Sequence, residues 1–291
     1  MVQFAGLLAL IILVFGTLLT AGAGIAHALP FELLLLSGAA FGTLIVGNSP
    51  AVSAEALSGF WRAMRGPKWT STDYLSGLVL LHRLISGAQR GGLVSIEDDV
   101  ERPEVSAIFA DAPRLRDDLA VRELICETFR LMGLDLSDPA RAEAAMDSRI
   151  AAHYEARQKA VGALHTLADT LPALGIVAAV IGIIRAMSVI DQAPSVIGAM
   201  IAAALLGTFL GVFLAYGIVG PVANRYGQIV DDESAFLDMI RAALSGYAAG
   251  YPARACVELA RAGISSDVQP SADALAHALQ AQRFTERQAA A

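Results

Sequence analysis

Residues 168–223 set the strongest limit on what this chain can become. They form two apolar runs, ADTLPALGIVAAVIGIIRAMSVI and IGAMIAAALLGTFLGVFLAYGIVGPVA, joined by DQAPSV. Each run is long enough to cross a bilayer, because about 20 apolar residues in a helix span the hydrocarbon core. Pro194 marks the turn between them. The only formal charges from Ala168 to Val222 are Asp169, Arg185 and Asp191, all near the ends of the runs. Ions deep in lipid are costly, so this placement fits a membrane hairpin. The alternative is a pair of helices buried in a large soluble core, where unbroken apolar runs of this length are rare.

The second run carries Ala199, Ala203, Gly207, Gly211 and Ala215, spaced four apart on one helical ridge. The first has Gly175, Ala179 and Gly182 on a similar face. Small ridges let helix backbones approach closely in lipid, and a packing seam alone would explain them. Thr208, beside the ridge, puts a hydroxyl inside the membrane, although a Thr can satisfy itself on a carbonyl one turn back. Pro172 and Pro221 bracket the hairpin and fall at one membrane level in antiparallel helices. Each removes a backbone donor, so they read either as helix-end punctuation or as a belt of hinges.

The rest of the chain surrounds this hairpin. Its 291 residues are 55% hydrophobic yet 17% charged, which calls for membrane spans plus a sizeable aqueous part. The net charge of −7 argues against a general nucleic-acid binder. Cys126 and Cys256 are far apart with no metal-type spacing, and read as reduced bystanders. Residues 4–29 and 30–46 are apolar and predict two further spans with a tight turn near His27–Pro30. Ala26-His27-Ala28 mimics a leader cleavage site, but no Lys or Arg precedes the run, and retention is expected. Glu32, close to that turn, reads as interfacial rather than as a proton carrier.

Four segments are therefore expected: spans 1 and 2 over 1–47, an aqueous helical domain over 48–167, the hairpin over 168–223, and C-terminal helices and tail over 224–291. Apolar residues recur at helical spacing over Leu75–Ala88, Asp118–Leu134 and Tyr226–Leu244, while 140–167 lacks proline and can run straight into the third span. A short helix is expected after Tyr251-Pro252, with Glu258 and Arg261 paired one turn apart, and a loose tail after Ser265. Nearly all Lys and Arg lie in the large segment or beyond Pro221, which places both termini in the cytoplasm. The fold class is thus an all-α, four-span membrane protein with a large helical cytoplasmic domain between spans 2 and 3 and a C-terminal cytoplasmic helix.

No GxSxG, HExxH, P-loop or dinucleotide pattern occurs, so an enzyme is not expected. The third and fourth spans hold no carboxylate at mid-depth. A lone proton carrier normally shows one. Either the protein moves no ions or a partner helix supplies the acid.

The residues also carry a resemblance. ADTLPALGIVAAVIG around Pro172, GTFLGVFLAYGIVGP ending at Pro221, LLHRLISGAQRGGLVSIEDDVERPEVSAIF and YPARACVELAR together resemble the flagellar stator branch of the MotA/TolQ/ExbB group. The resemblance covers the chain to about residue 264. It implies a bacterial inner-membrane subunit that assembles with itself, as a pentamer in the family, around a MotB-type single-span, peptidoglycan-anchored partner whose Asp carries the ion. It implies torque on the rotor protein FliG, protons as the coupling ion, and no bound cofactor. Pro172 and Pro221 would be coupling hinges, and Thr208, Tyr216 and Ala179 would face the ion path and the partner. Arg90 and Glu97 would touch the rotor, with Gln89 standing where the family often has a basic residue. Sodium-driven relatives tend to have Thr where this chain has Ala179, and a methyl offers no oxygen ligand, so proton coupling is expected. The rival readings are an ExbB- or TolQ-like energiser of outer-membrane work, which usually has three spans, and a passive scaffold built on small-residue ridges.

Overall fold

The computed structural model describes residues 2–20, 23–134 and 138–289, and all of their regular structure is helical, without a strand among them. In chain order the helices are α1 (Val2–Thr20), α2 (Ala23–Gly47), α3 (Pro50–Arg65), α4 (Ser71–Gly91), α5 (Glu97–Glu101), α6 (Ala107–Ala110), α7 (Pro113–Asp117), α8 (Leu119–Gly133), α9 (Pro139–Met187), α10 (Pro194–Phe213), α11 (Gly220–Ala248), α12 (Ala253–Ala262) and α13 (Ala272–Ala289). A 3₁₀ turn, Leu93–Ile96, precedes α5, and a π-helical segment, Leu214–Val219, joins α10 to α11. Four of these helices are long and apolar enough to cross a membrane. Helix α9 is continuous over 49 residues, so the Ala-rich segment after Pro139 does run unbroken into the third span.

The chain divides into two compact units, one of residues 1–66 and 156–230, the other of 67–155 and 231–291. In the first, α2 packs on the α9–α10 hairpin through Leu36, Ala178, Leu206 and Leu210, and through Ala40, Leu171 and Ala215. Large apolar side chains such as Leu13, Leu34, Ile184 and Leu205 remain exposed. An unpaired apolar surface this extensive belongs in lipid or against neighbouring helices.

The second unit is built as a water-soluble domain is built. Helix α4 is the central element: Leu78, Leu81, Leu84 and Ile85 are fully buried along one face. Its start is fixed by Asp73, whose Oδ2 accepts from the Thr70 amide at 2.8 Å and the Thr70 hydroxyl at 2.7 Å, satisfying a donor that the first turn leaves open. Arg114 also pairs with that carboxylate. Trp69 stacks on Phe236 at 4.3 Å and Tyr74 meets the same ring edge-on at 4.8 Å, which ties α11 to the start of α4. Cys126 and Cys256 are free and buried. Burial pushes the Cys126 thiol up to about 11, so it is an unreactive packing residue.

Two local expectations are corrected. Helix α2 runs unbroken through His27–Pro30, with Pro30 inside it. Helix α1 ends at Thr20, and α2 is already helical from Ala23. Membrane helices tolerate an internal proline when neighbours cover the freed carbonyl. Beyond Ser265 the described residues form α13 rather than a loose tail, and the Ser271 hydroxyl caps it, accepting from the Ala274 amide at 3.1 Å. Leu275 and Leu279, one turn apart, are both buried in the second unit's core. The predicted Glu258–Arg261 pair forms at 3.0 Å on α12.

Candidate functional site

Small residues decide the geometry of the hairpin. A methyl added at Gly211 would lie 2.7 Å from the Leu171 carbonyl oxygen and 2.9 Å from the Gly175 Cα. One added at Gly175 would lie 2.9 Å from the Gly207 carbonyl oxygen. One added at Gly182 would lie 2.6 Å from the Ala204 Cβ. The two spans therefore cross backbone to backbone beside Pro172. The seam includes Gly207, Gly211 and Ala215 of the expected ridge, but toward the turn it passes through Ala204, and Ala199 is exposed. A row spaced four apart is inclined to the helix axis, so a straight partner leaves it after about two turns.

Thr208 does not turn back on its own helix. Its hydroxyl reaches across the seam to the Gly175 carbonyl at 3.4 Å, the long end of a hydrogen bond. Ala179 is buried within the hairpin, at 9% exposure. Tyr216 is 66% exposed, within the π-helical segment. Thr208 and Pro172 thus lie on either side of one close crossing, whereas Tyr216 stands apart on the outer surface of the chain.

The prolines act on the backbone differently. Pro172 sits inside the continuous α9, where it deprives the Ala168 carbonyl of its intrahelical donor. Before Pro221 the helix widens to π over Leu214–Val219, and the Gly220 amide bonds the Ala215 carbonyl five residues back. The wider turn makes room for a ring that would strike the carbonyl four residues before it.

Glu32 is where sequence reasoning stopped short. It is packed inside the protein, with only 7% of it exposed. Its Oε2 would lie 2.9 Å from a methyl built on Gly207, so the carboxyl packs directly on the fourth span one residue from Thr208. That oxygen has no hydrogen-bond partner among the described residues. Nearby, the Arg185 guanidinium lies over the Phe31 ring, 5.5 Å from its centroid. The signal available was a carboxylate inside a hydropathic run. What hid it was the packing of α2 on α10, which no local pattern reveals.

In the second unit Arg90 and Glu97 are both exposed, at the end of α4 and the start of α5. The chain turns between them through Gly92, at φ +74°, a backbone conformation in which a side chain is strained. Ile96, 2% exposed, anchors the loop in the core, and the Ser95 hydroxyl ties it to the Gly87 carbonyl at 2.9 Å. Gln89 plays a structural part. Its amide donates to the Tyr251 carbonyl at 2.7 Å and accepts from the Ala253 amide at 3.1 Å. It therefore clamps α12 to α4, which a Lys or Arg at 89 could not do on the acceptor side. Among the described residues no group of three or more His, Cys, Asp or Glu is arranged to hold a metal.

Comparison with known proteins gives concordant matches. Residues 116–239 match the model of the MotA/TolQ/ExbB proton channel family, and residues 4–92 match Motility protein A N-terminal. Motility protein A of Escherichia coli is 34% identical over 256 residues, covering 88% of this chain and 87% of that one. Chemotaxis protein LafT of Vibrio parahaemolyticus is 33% identical over 272 residues, covering 93% and 95%. Among solved structures, C. jejuni MotAB superposes with a TM-score of 0.70 at 18% identity, covering 90% of this chain and 96% of that one. The flagellar MotAB stator complex from Bacillus subtilis gives 0.67 at 18% identity, covering 88% and 92%.

Proposed function

This chain belongs to the MotA/TolQ/ExbB proton channel family, and on that premise we propose how its geometry serves a stator. The protein is a multi-pass inner-membrane subunit of the flagellar motor that couples proton flow to torque. It is not an enzyme, and it works in an oligomeric assembly with a membrane partner. In finer terms, the assembly is a pentamer around a MotB-type protein anchored to peptidoglycan, and an Asp on that partner carries the proton. FliG on the rotor receives the torque through the exposed Arg90 and Glu97. Thr208, Ala179 and Tyr216 lie along the path that the partner helix follows, and Pro172 and Pro221 pass its movement to the cytoplasmic part.

The observation that carries this reading is the site beside Pro172. There, two backbones cross in contact, with the Thr208 hydroxyl and the buried Glu32 carboxyl on adjoining positions of one membrane crossing. A carboxyl at such a place is costly, and its presence there points to a function. Glu32 lies in the outer half of span 2 under the proposed topology, so its role is to take protons from the outer side and pass them toward the partner's acid. Glu32→Gln keeps size and polarity but cannot exchange a proton. It should leave the amount of protein in the membrane unchanged and lower torque per stator several-fold, read as the step height in bead-assay resurrection traces. Glu32→Asp should recover part of the loss. Full step height in Glu32→Gln would remove Glu32 from the path.

A further inference from the structure

Helix α3 begins three residues after α2 ends at Gly47, so it starts where the second span leaves the bilayer. One side of it is held firmly. The Glu55 Oε1 accepts from the Tyr226 hydroxyl at 2.6 Å, from Arg157 at 2.7 Å and from Arg62 at 3.1 Å. Gly59 lies flat under the Tyr226 ring, where an added methyl would come within 2.5 Å. Ser53, Ala56 and Ala63 complete this buried face. Three donors on one carboxylate oxygen and a ring on a bare glycine leave α3 no freedom to roll.

The opposite side is apolar and uncovered. Trp61 is 67% exposed and Leu57, one turn away, is exposed with it. At 100° per residue, Phe60 and Met64 flank them, and Arg65 and Ser58 border the sector on the polar side. Just before it in the chain, the last turn of span 2 leaves Val46 88% exposed. An aromatic and aliphatic sector with an adjoining basic residue, at the end of a span, matches the chemistry of the headgroup boundary. Trp rings settle there, and Arg meets lipid phosphates.

We propose that α3 is an interfacial anchor: its Leu57–Trp61 face lies in the cytoplasmic leaflet of an anionic phospholipid membrane, with Arg65 at the phosphates. Because Glu55 and Gly59 lock its other face to α9 and α11, the anchor fixes the level at which those two helices leave the bilayer. The assignment rests on the four-span reading of the chain.

The test uses the full chain, expressed with its membrane partner and reconstituted in phosphatidylcholine bilayers with and without phosphatidylglycerol. Nitroxide labels are placed at W61C, at L57C and, as a control in span 1, at L13C. The unsubstituted chain with its two buried cysteines serves as blank. Collision with oxygen reports lipid, and collision with a water-soluble nickel chelate reports solvent. The labels at 61 and 57 should show several-fold greater relaxation by oxygen than by nickel, at shallower depth than the label at 13. Adding Arg65→Gln should remove the extra depth gained with phosphatidylglycerol. Dominant nickel relaxation at 61 and 57 would mean that water covers the face. Low relaxation by both reagents would mean that a second copy covers it. Either result overturns the anchor while L13C remains lipid-exposed. A water-exposed L13C would instead overturn the four-span reading itself.

Discussion

Replacing Pro172 or Pro221 with alanine is expected to abolish swimming, or reduce it to a trace, while the protein remains inserted at normal abundance. An internal proline costs a helix about 3 kcal/mol relative to alanine. Each substitution should therefore strengthen its helix rather than weaken it. Pro221 is exposed, so alanine there also removes little packing. What is lost is compliance: the missing donor at Ala168, and the π-helical segment that Pro221 favours. Membrane fractionation should match the unsubstituted protein and thermal melting in detergent should equal or exceed it, whereas motility-agar spreading should fall. Normal spreading by both variants would sink the hinge assignment.

The second large effect is expected at Gly211. Valine there would press its Cβ against the Leu171 carbonyl and the Gly175 Cα, and neither contact is a flexible side chain that can step aside. Overpacking of ordinary cores costs about 1–3 kcal/mol, and here the obstacle is backbone on a helix that cannot bend away without losing Thr208 and Gly207 from the same seam. Gly211→Val should lower the membrane level of the protein severely and eliminate motility. Gly198→Ala is the internal comparison, because nothing lies within 4 Å of a methyl at that position on the same helix. It should swim normally. Equal behaviour of the two would show that the hairpin does not pack as described.

The hairpin was legible because hydropathy and small-residue spacing are local and the bilayer fixes the length. The same holds for the continuous α9 and for α4, whose buried face repeats at helical period. Three features were not legible, for three different reasons. Glu32 depends on which span packs on which, and nothing near it in the chain says that Gly207 makes room for a carboxyl. Helix α13 has only two strong anchors, Leu275 and Leu279, in an Ala-rich polar stretch, so composition alone reads as tail. Proline usually ends helices, which puts the expected turn near His27–Pro30. A membrane helix tolerates an internal proline where its surroundings satisfy the freed carbonyl, and α2 runs through Pro30 from Ala23. The hinge idea at Pro221 came from the proline itself. The π-helical segment before it is a backbone response that residue types do not announce.

Gln89 shows why a departure from a family pattern has to be read in space. As a charge it is a loss beside Arg90. As a donor and acceptor it is the clamp between α4 and α12, and Arg90 remains exposed next to it.

The central claim is that this chain turns proton flow into torque. The measurement that tests it most directly is rotation of tethered cells in a strain lacking the gene, with flagella counted by microscopy and sodium varied at constant proton-motive force. The account predicts fully flagellated, immobile cells whose rotation returns with the intact gene and whose speed ignores sodium. Normal rotation of the deleted strain, in a background with no second stator set, would contradict the stator role. Restored rotation that needs sodium would contradict the proton.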